Sequence, residues 1–154
     1  MKSSRLRGFG LADSLSFVVA VILNLRNELL LLRRSESARR DPGRWGLAGG
    51  RLESGEEPMQ GMLRELGEEL GTGLELRLEA SLGPLPAIGH AGGTVHLFRY
   101  TCLSGSPELN HEHTAYLWLD EATFIASMAD LDLMPGVQED LTYFGIWPDR
   151  FRAP

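Results

Sequence analysis

The sequence predicts an α/β fold in which a mixed β-sheet lies between helices. Three observations support this fold: apolar runs of strand length recur along the chain, a long amphipathic helix pattern lies between them, and a second helix pattern lies near the C-terminus. With 154 residues and 43% hydrophobic content, the chain can bury one core. We therefore expect residues 1–154 to form a single domain, although these patterns leave the strand order open.

The first apolar run covers residues 15–25 and is rich in β-branched residues, which is typical of a buried strand. Basic residues precede this run, as they do in a signal peptide, but an acidic residue interrupts them and no cleavage-site pattern follows. The run is also too short to span a membrane as a helix. A turn at residues 26–27 leads to a second strand at 28–32, so we expect a hairpin. Residues 1–13 are expected to form a flexible or edge segment.

A helix is predicted over residues 58–70. Apolar side chains recur there at spacings of three and four, which places one row of them on one face of the helix: Met59, Met62, Leu63, Leu66 and Leu70. Pro58 lies near the predicted start and Gly71 just past the predicted end, which is the usual asymmetry of helix ends. Periodicity and end residues therefore agree on the extent of this helix.

Three carboxylates of this helix, Glu65, Glu68 and Glu69, fall within an arc of about 100°. Like charges at these spacings oppose helix formation by a few tenths of a kcal/mol per pair. A divalent cation between them would reverse that effect, and carboxylate oxygens suit Mg²⁺ or Mn²⁺. A solvated acidic face is the alternative, and three glutamates alone favour it. The upstream pair Gly49-Gly50 favours the cation, because a backbone without side chains could bring a carbonyl towards it.

The loop and the helix also carry a signature of fixed spacing, which comprises Gly50, Glu56, Arg64, Glu65, Leu66, Glu68, Glu69 and Gly71. This set resembles the box of the Nudix hydrolase family, G-x5-E-x7-R-E-U-x-E-E-x-G-U, in which U is a bulky aliphatic residue. Thr72, at the last aliphatic position, is the one departure, and it bears on packing after the helix. So many fixed positions in so short a span make the resemblance specific. It implies the family's α/β/α sandwich, with the box as a loop, a helix and a loop on the sheet.

The resemblance implies an enzyme that hydrolyses a pyrophosphate bond with Mg²⁺, or Mn²⁺, as its cofactor. The substrate would be a nucleoside diphosphate linked to another moiety, such as a nucleoside triphosphate or a nucleotide sugar. The metal would be held by Glu65, Glu68, Glu69 and the carbonyl of Gly49 or Gly50. Either Glu68 or Glu69 would accept the proton of the attacking water. Arg64, paired with Glu56, would hold the glutamates in place.

A second stretch, His111-Glu112-His113, permits three interpretations. By itself it favours a surface loop without a role. A zinc site has weaker support, because two histidines at a strand edge need further ligands. The third interpretation rests on the resemblance, since Nudix hydrolases of nucleotide sugars have a similar E-H-x-x-Y-x-W pattern with a histidine base. On that basis Glu112 would contact the metal and His113 would act as general base, with a pKa near the ordinary value of about 6.5.

The rest of the chain alternates strands with loops and ends in helices. Residues 74–82 alternate apolar and polar side chains, which predicts a half-buried strand. The Pro/Gly-rich loop that follows, residues 83–93, is expected to border the active site. The remaining predicted elements are strands over 94–103 and 115–119, a helix over 121–127 capped by Asp120, and a helix over 135–144.

The loop over residues 33–44 contains five arginines: Arg33, Arg34, Arg39, Arg40 and Arg44. A solvated basic loop is one interpretation, and a grip on substrate phosphate by one or two guanidinium groups is the other. His90 could touch substrate from its loop, but we expect it to be solvent-exposed, and we expect His96 to be a packing or groove residue on its strand. The aromatic side chains are expected mainly to pack.

Charge and cysteine content limit the partners and the compartment. A net charge of −6 argues against a general nucleic-acid binder, so we expect no stable nucleic-acid partner. The acidity does not exclude the small nucleotide substrate that the resemblance implies, and the short apolar run predicts no membrane partner. A homodimer is left open. Cys102 is the only cysteine and cannot form an intrachain disulfide, which favours a reducing cytoplasm.

Two other functions on the same scaffold have less support. A catalytically silent nucleotide sensor predicts a broken box or an added DNA-binding domain, whereas every acidic position of the box is intact and we expect no second domain in 154 residues. An isomerase of prenyl diphosphates predicts a reactive cysteine near the box, whereas Cys102 lies on a predicted strand away from it. The sequence therefore favours the hydrolase.

Overall fold

A central mixed sheet carries helices on both faces in the computed structural model, which describes residues 15–147. The strands are β1 (Ser16–Asn24), β2 (Leu29–Arg34), β3 (Trp45–Gly46), β4 (Ala48–Arg51), β5 (Leu74–Pro86), β6 (Thr94–Gly105) and β7 (His113–Leu119), and the helices are α1 (Pro58–Leu70), α2 (Glu121–Ser127) and α3 (Val137–Tyr143). The predicted α/β class, with a mixed sheet between helices, is confirmed. The segment predicted to be flexible or at an edge, residues 1–13, lies outside the described residues.

β1 runs through the middle of the sheet. It pairs in parallel with β6 along its whole length and antiparallel with β2 across the predicted turn. In that turn the Asn24 side chain accepts hydrogen bonds from the N–H groups of Arg26, at 2.9 Å, and Glu28, at 3.0 Å. Asn27 has a left-handed φ of 59°, which asparagine tolerates better than most residues. The predicted hairpin is confirmed.

The sheet forks between β1 and β2, and this fork positions the glycines of the box. β1 pairs with β2 only near the turn, whereas its N-terminal half pairs with β4. β2 pairs with β3 further along its length. The short strands β3 and β4 therefore fill the gap between two diverging strands, and they bring Gly49 and Gly50 alongside Val19 and Val18 of β1.

Each face of the sheet packs against its own helices. The cluster on the α1 side includes Val18, Ile22, Met62, Leu66 and Leu70. The cluster on the side of α2 and α3 includes Val21, Leu23, Phe124, Val137 and Leu141. Residues of β1 contribute to both clusters, because successive side chains of a strand point to opposite faces. The α/β/α sandwich is therefore confirmed.

β5 corrects one prediction. Its alternating pattern predicts a half-buried strand, but most of its side chains are exposed, including Leu78 and Leu82. The strand lies at the edge of the sheet, and three irregularities of register against β6 interrupt the alternation. It also continues to Pro86, so the loop predicted over 83–93 begins only at residue 87. Alternation indicates a strand with an apolar face, whereas burial of that face requires a second layer over it.

The later elements lie close to their predicted bounds. α2 begins at the predicted residue, and Asp120 caps it by accepting a hydrogen bond from the N–H of Thr123 at 2.7 Å. α3 is shorter than predicted, but Val137 and Leu141 on its inner face are buried. None of the helices in the described part of the chain is long and apolar enough to cross a membrane.

Candidate active site

Helix α1 presents its glutamates to two different environments. Its apolar face packs on the sheet through Met62 and Leu66. Glu65 and Glu69 flank this face and are buried, with only 7% and 1% of their surface exposed. The Glu68 side chain, by contrast, is 48% exposed. Of the three glutamates predicted to share one arc of the helix, two are therefore buried and one lies at the surface.

Burial disfavours the charged forms of the two buried carboxylates, Glu65 and Glu69. The pKa of Glu69 lies well above its ordinary value because the side chain is buried, and the charges of Glu65 and Glu112 raise it further. The N–H of Gly49 donates a hydrogen bond to Glu69 at 2.7 Å, which offsets part of this effect. Burial also raises the pKa of Glu65, against the opposite effect of Arg64. A cation beside these oxygens would favour their charged forms.

The donor set fits a hard divalent cation. Carboxylate oxygens and backbone carbonyls are the ligands that Mg²⁺ and Mn²⁺ prefer. Five residues that carry such groups line one cavity: Glu65, Glu69, Glu112, Gly49 and Gly50. Gly50 leaves room for this arrangement, since a Cβ there would lie 2.5 Å from the Cδ atom of Glu65. Within residues 15–147, no group of three or more His, Cys, Asp or Glu side chains is arranged so that it could hold a metal ion without rearrangement. The two buried carboxylates instead accept hydrogen bonds from protein donors, Glu69 from the N–H of Gly49 and Glu65 from Nη1 of Arg64.

Arg64 ties the helix to the loop before it. Its Nε and Nη2 donate hydrogen bonds to the two oxygens of Glu56, at 2.8 and 3.0 Å, and its Nη1 donates to Glu65 at 2.9 Å. Nη2 also donates to the carbonyl of Arg51 at 3.1 Å. Hydrogen bonds from Arg64 lower the pKa of Glu56 to about 2, so this pair stays charged at neutral pH. One guanidinium group therefore orients the box loop and a buried glutamate together.

We expect Arg64→Lys to lower kcat about 10- to 100-fold and to raise the Mg²⁺ concentration needed for half-maximal activity. An ammonium group cannot reproduce the planar fork that binds Glu56 and Glu65 at the same time. The measurement is the initial rate as a function of Mg²⁺ concentration at saturating substrate. Arg77→Lys is the control, since Arg77 forms an exposed ion pair with Glu79 on β5. Identical Mg²⁺ dependence in wild type and Arg64→Lys would refute a positioning role for Arg64.

Glu112 and His113 enter the site at the start of β7. Glu112 lines the cavity near the buried glutamates, whose pKa values its charge raises. His113 is buried, and its Nε2 lies 3.8 Å from Oε2 of Glu69. Burial, with a contribution from Arg34, lowers the pKa of His113 to about 4. The expected pKa near 6.5 is therefore wrong, because a buried imidazole loses the hydration that stabilises its charged form.

These groups share a cavity of about 450 Å³. Three arginines also line it: Arg34, Arg40 and Arg51. Nε of Arg34 donates to the carbonyl of Arg40 at 2.8 Å, which connects the end of β2 to the basic loop. Arg33 and Arg44 of the same loop pair with acidic residues instead. Two of the five loop arginines thus face the cavity.

The rest of the lining is largely apolar and includes Phe17, Ile88, Val95, Met134 and Pro135. His90 also lines the cavity, which places the loop after β5 at its border as predicted. Its ring lies 4.4 Å from the ring of Phe17, and its Nδ1 accepts a hydrogen bond from Nη1 of Arg40 at 2.8 Å. The expectation of an exposed His90 is wrong: the residue is half-buried, and burial lowers its pKa.

Asp140 is a cavity residue that sequence reasoning missed. It lines the cavity from α3, and burial, with a smaller effect of Glu139, raises its pKa to about 7. A signal was present, since Asp140 lies three residues after Val137 and one before Leu141, and so beside the apolar face of the helix. Two other candidates lie elsewhere: His96 is half-buried on β6 and Cys102 belongs to the α1-side core.

Comparisons with known proteins match most of this chain to one family. A family model described as the NUDIX domain matches residues 15–133. The CTP pyrophosphohydrolase of Escherichia coli (strain K12) is 33% identical over 105 residues, which cover 66% of this chain and 73% of that protein.

Solved structures show the same fold. A structure of DR0079 from Deinococcus radiodurans has a TM-score of 0.67 and 23% identity, covering 91% of this chain and 85% of that one. A C. elegans Ap4A hydrolase has a TM-score of 0.62 and 21% identity, covering 89% of this chain and 99% of that one. Because the family model matches most of the chain, the protein belongs to the Nudix family of pyrophosphohydrolases.

Proposed function

We propose that this protein hydrolyses a pyrophosphate bond of nucleoside triphosphates in a reaction that depends on Mg²⁺ or Mn²⁺. The observation that carries the proposal is that three carboxylate residues, Glu65, Glu69 and Glu112, line one cavity together with Gly49 and Gly50. Two of these carboxylates are buried, and their charge is costly without a cation. A nucleotide sugar is the alternative substrate, since it contains the same type of bond.

Two further observations support triphosphates as the substrate class. Arg34, Arg40 and Arg51 line the same cavity, and guanidinium groups bind phosphate oxygens through paired hydrogen bonds. Their number suits a chain of phosphates better than a single one. The sequence similarity to a CTP pyrophosphohydrolase points to the same class.

The metal would be held by Glu65, Glu69, Glu112 and the carbonyl of Gly49 or Gly50. Glu68 is half exposed and does not line the cavity, so its predicted contact with the metal would require a side-chain movement. When bound, Mg²⁺ screens the charge of the phosphates and acidifies water at the site. Arg64 keeps the carboxylates in place through its bonds to Glu56 and Glu65.

The chain's own groups would then orient the substrate and accept the proton. Arg34 and Arg40 bind phosphate oxygens that do not react. A carboxylate of α1, Glu68 or Glu69, takes the proton from the attacking water. We assign this step to a carboxylate because His113, with a pKa of about 4, is no stronger a base than an ordinary carboxylate.

The test is a screen of the purified protein with Mg²⁺ against nucleoside triphosphates, nucleotide sugars and dinucleoside polyphosphates. Release of pyrophosphate from triphosphates is distinguished from release of phosphate by adding inorganic pyrophosphatase. Cleavage of nucleotide sugars and dinucleoside polyphosphates is detected by adding alkaline phosphatase, which releases phosphate from the products and leaves these intact substrates uncut. We expect turnover of at least one triphosphate, loss of activity in excess EDTA, and recovery when Mg²⁺ or Mn²⁺ is restored.

Each alternative has a distinct outcome in this screen. Activity that persists in excess EDTA contradicts the metal dependence. Turnover confined to nucleotide sugars would contradict nucleoside triphosphates as the substrate class but would still support hydrolysis of a pyrophosphate bond. Absence of any hydrolysis, together with measurable nucleotide binding, would favour the sensor. A cytoplasmic location and a homodimer stay predictions, which cell fractionation and size-exclusion chromatography would test.

A further inference from the structure

Asp140 is a carboxyl group in the cavity that the proposed mechanism does not use. It lines the cavity from α3, near Met134 and Pro135, whereas Glu65 and Glu69 line it from α1. Among residues 15–147, no group donates a hydrogen bond to its carboxyl oxygens. A half-buried carboxyl group without a protein partner is costly unless water or a ligand supplies the missing hydrogen bonds.

The surroundings of Asp140 suit a planar heterocycle. The apolar lining includes Phe17, Ile88, Val95, Met134 and Pro135. Apolar walls with a few polar groups are typical of sites that orient a small aromatic ligand. The phosphates of a nucleotide would instead be matched by the arginines and by a cation at the glutamates. The apolar lining with Asp140 is thus the part of the cavity that is suited to the nucleobase.

We infer that Asp140 contacts the edge of the nucleobase and favours bases with an exocyclic amino group over bases with a carbonyl in its place. The inference rests on the proposed function and names its substrate class. A carboxyl group accepts a hydrogen bond in either protonation state, so it can pair with the amino group of cytosine or adenine. Uracil and hypoxanthine present a carbonyl oxygen at the same position, and this oxygen repels an ionised carboxylate.

The experiment compares two pairs of substrates that differ at this position: CTP with UTP, and ATP with inosine triphosphate. The assay is run at about pH 8, where a carboxyl group whose pKa is about 7 is mostly ionised. In whichever pair the wild type hydrolyses, we expect kcat/KM to be at least about 10-fold higher for the substrate with the amino group, CTP or ATP, than for UTP or inosine triphosphate. The difference should appear mainly in KM, because the base lies away from the reacting phosphates.

Asp140→Asn is the diagnostic variant. Its amide can turn either an oxygen towards an amino group or an NH₂ towards a carbonyl, so the preference should fall to within about 3-fold. Glu139→Gln is the matched control, since Glu139 is the exposed neighbour of Asp140 on the same helix and does not line the cavity. Asp140→Ser, with a hydroxyl that also donates and accepts, gives the same expected loss if the amide variant does not fold.

The outcomes separate this inference from the proposed function. Hydrolysis with equal kcat/KM for both members of a pair, or a preference that survives in Asp140→Asn, overturns the inference and leaves the proposed function intact. If no triphosphate is hydrolysed, the proposed function fails, and calorimetric binding of CMP, UMP, AMP and IMP tests the inference without catalysis. Preference for CMP over UMP, or for AMP over IMP, that Asp140→Asn removes would support it, and equal binding would overturn it.

Discussion

Replacing Glu69 by glutamine is expected to lower turnover on the order of 10³-fold while leaving the fold intact. The amide oxygen can still accept the hydrogen bond from Gly49, and it occupies the same volume as the carboxylate oxygen. The variant loses the buried negative charge that would hold the cation. Because that charge is costly when no cation balances it, the melting temperature in EDTA should be equal to or higher than that of the wild type.

The same variant should also lose most of the stabilisation that Mg²⁺ provides. A ligand that binds only the folded state raises the melting temperature as its concentration rises above its Kd. Melting curves in EDTA and at increasing Mg²⁺ therefore report metal binding without any substrate. Glu79→Gln on the edge strand, where Glu79 pairs with Arg77, is the control and should behave as wild type. A near-wild-type rate for Glu69→Gln, or an unchanged Mg²⁺ response, would count against Glu69 as a metal ligand.

Alanine at the two adjacent glycines of β4 should have different effects, on stability at Gly49 and on activity at Gly50. A Cβ at Gly49 would overlap the carbonyl oxygen of Val18 and lie 2.9 Å from the Cα of Val19, so the backbone of β1 would have to move. We expect Gly49→Ala to destabilise the fold by roughly 3 kcal/mol. The three atoms nearest to a Cβ at Gly50 all belong to the end of the Glu65 side chain, which can rotate away. Gly50→Ala should therefore fold but lose activity by about 10- to 100-fold.

Denaturant unfolding and initial rates measured on the same preparations distinguish these two effects. Gly67→Ala is the control for the glycine-to-alanine change, because Gly67 is exposed on α1 and nothing lies within 4 Å of a Cβ built there. It should stabilise the protein by about 0.5–1 kcal/mol, the usual gain in a helix. Gly50→Ala with full activity, or Gly49→Ala with wild-type stability, would show that the backbone at this fork tolerates side chains.

Local sequence patterns predicted an element well where its bounds depend only on residues within that element. The helix over 58–70 has its predicted bounds, since its apolar spacing and its end residues act within the element. β5 was predicted less well, because its exposure depends on its position at the sheet edge. The pKa of His113 was wrong for a similar reason: burial on β7 and the charge of Arg34 come from segments that are distant in sequence.

Periodicity, turn residues and fixed spacing are local properties of the chain, and they suffice to predict the α/β class, the hairpin, the helix α1 and the set of box residues. Which of those carboxylates are buried, and what they face, depends on how distant segments pack. Glu69 is buried because the fork between β1 and β2 brings Gly49 to it. Asp140 lines the same cavity from α3, although α3 begins at Val137, 67 residues after the end of α1 at Leu70. Burial and charge depend on packing between distant segments, so no spacing along the chain specifies them.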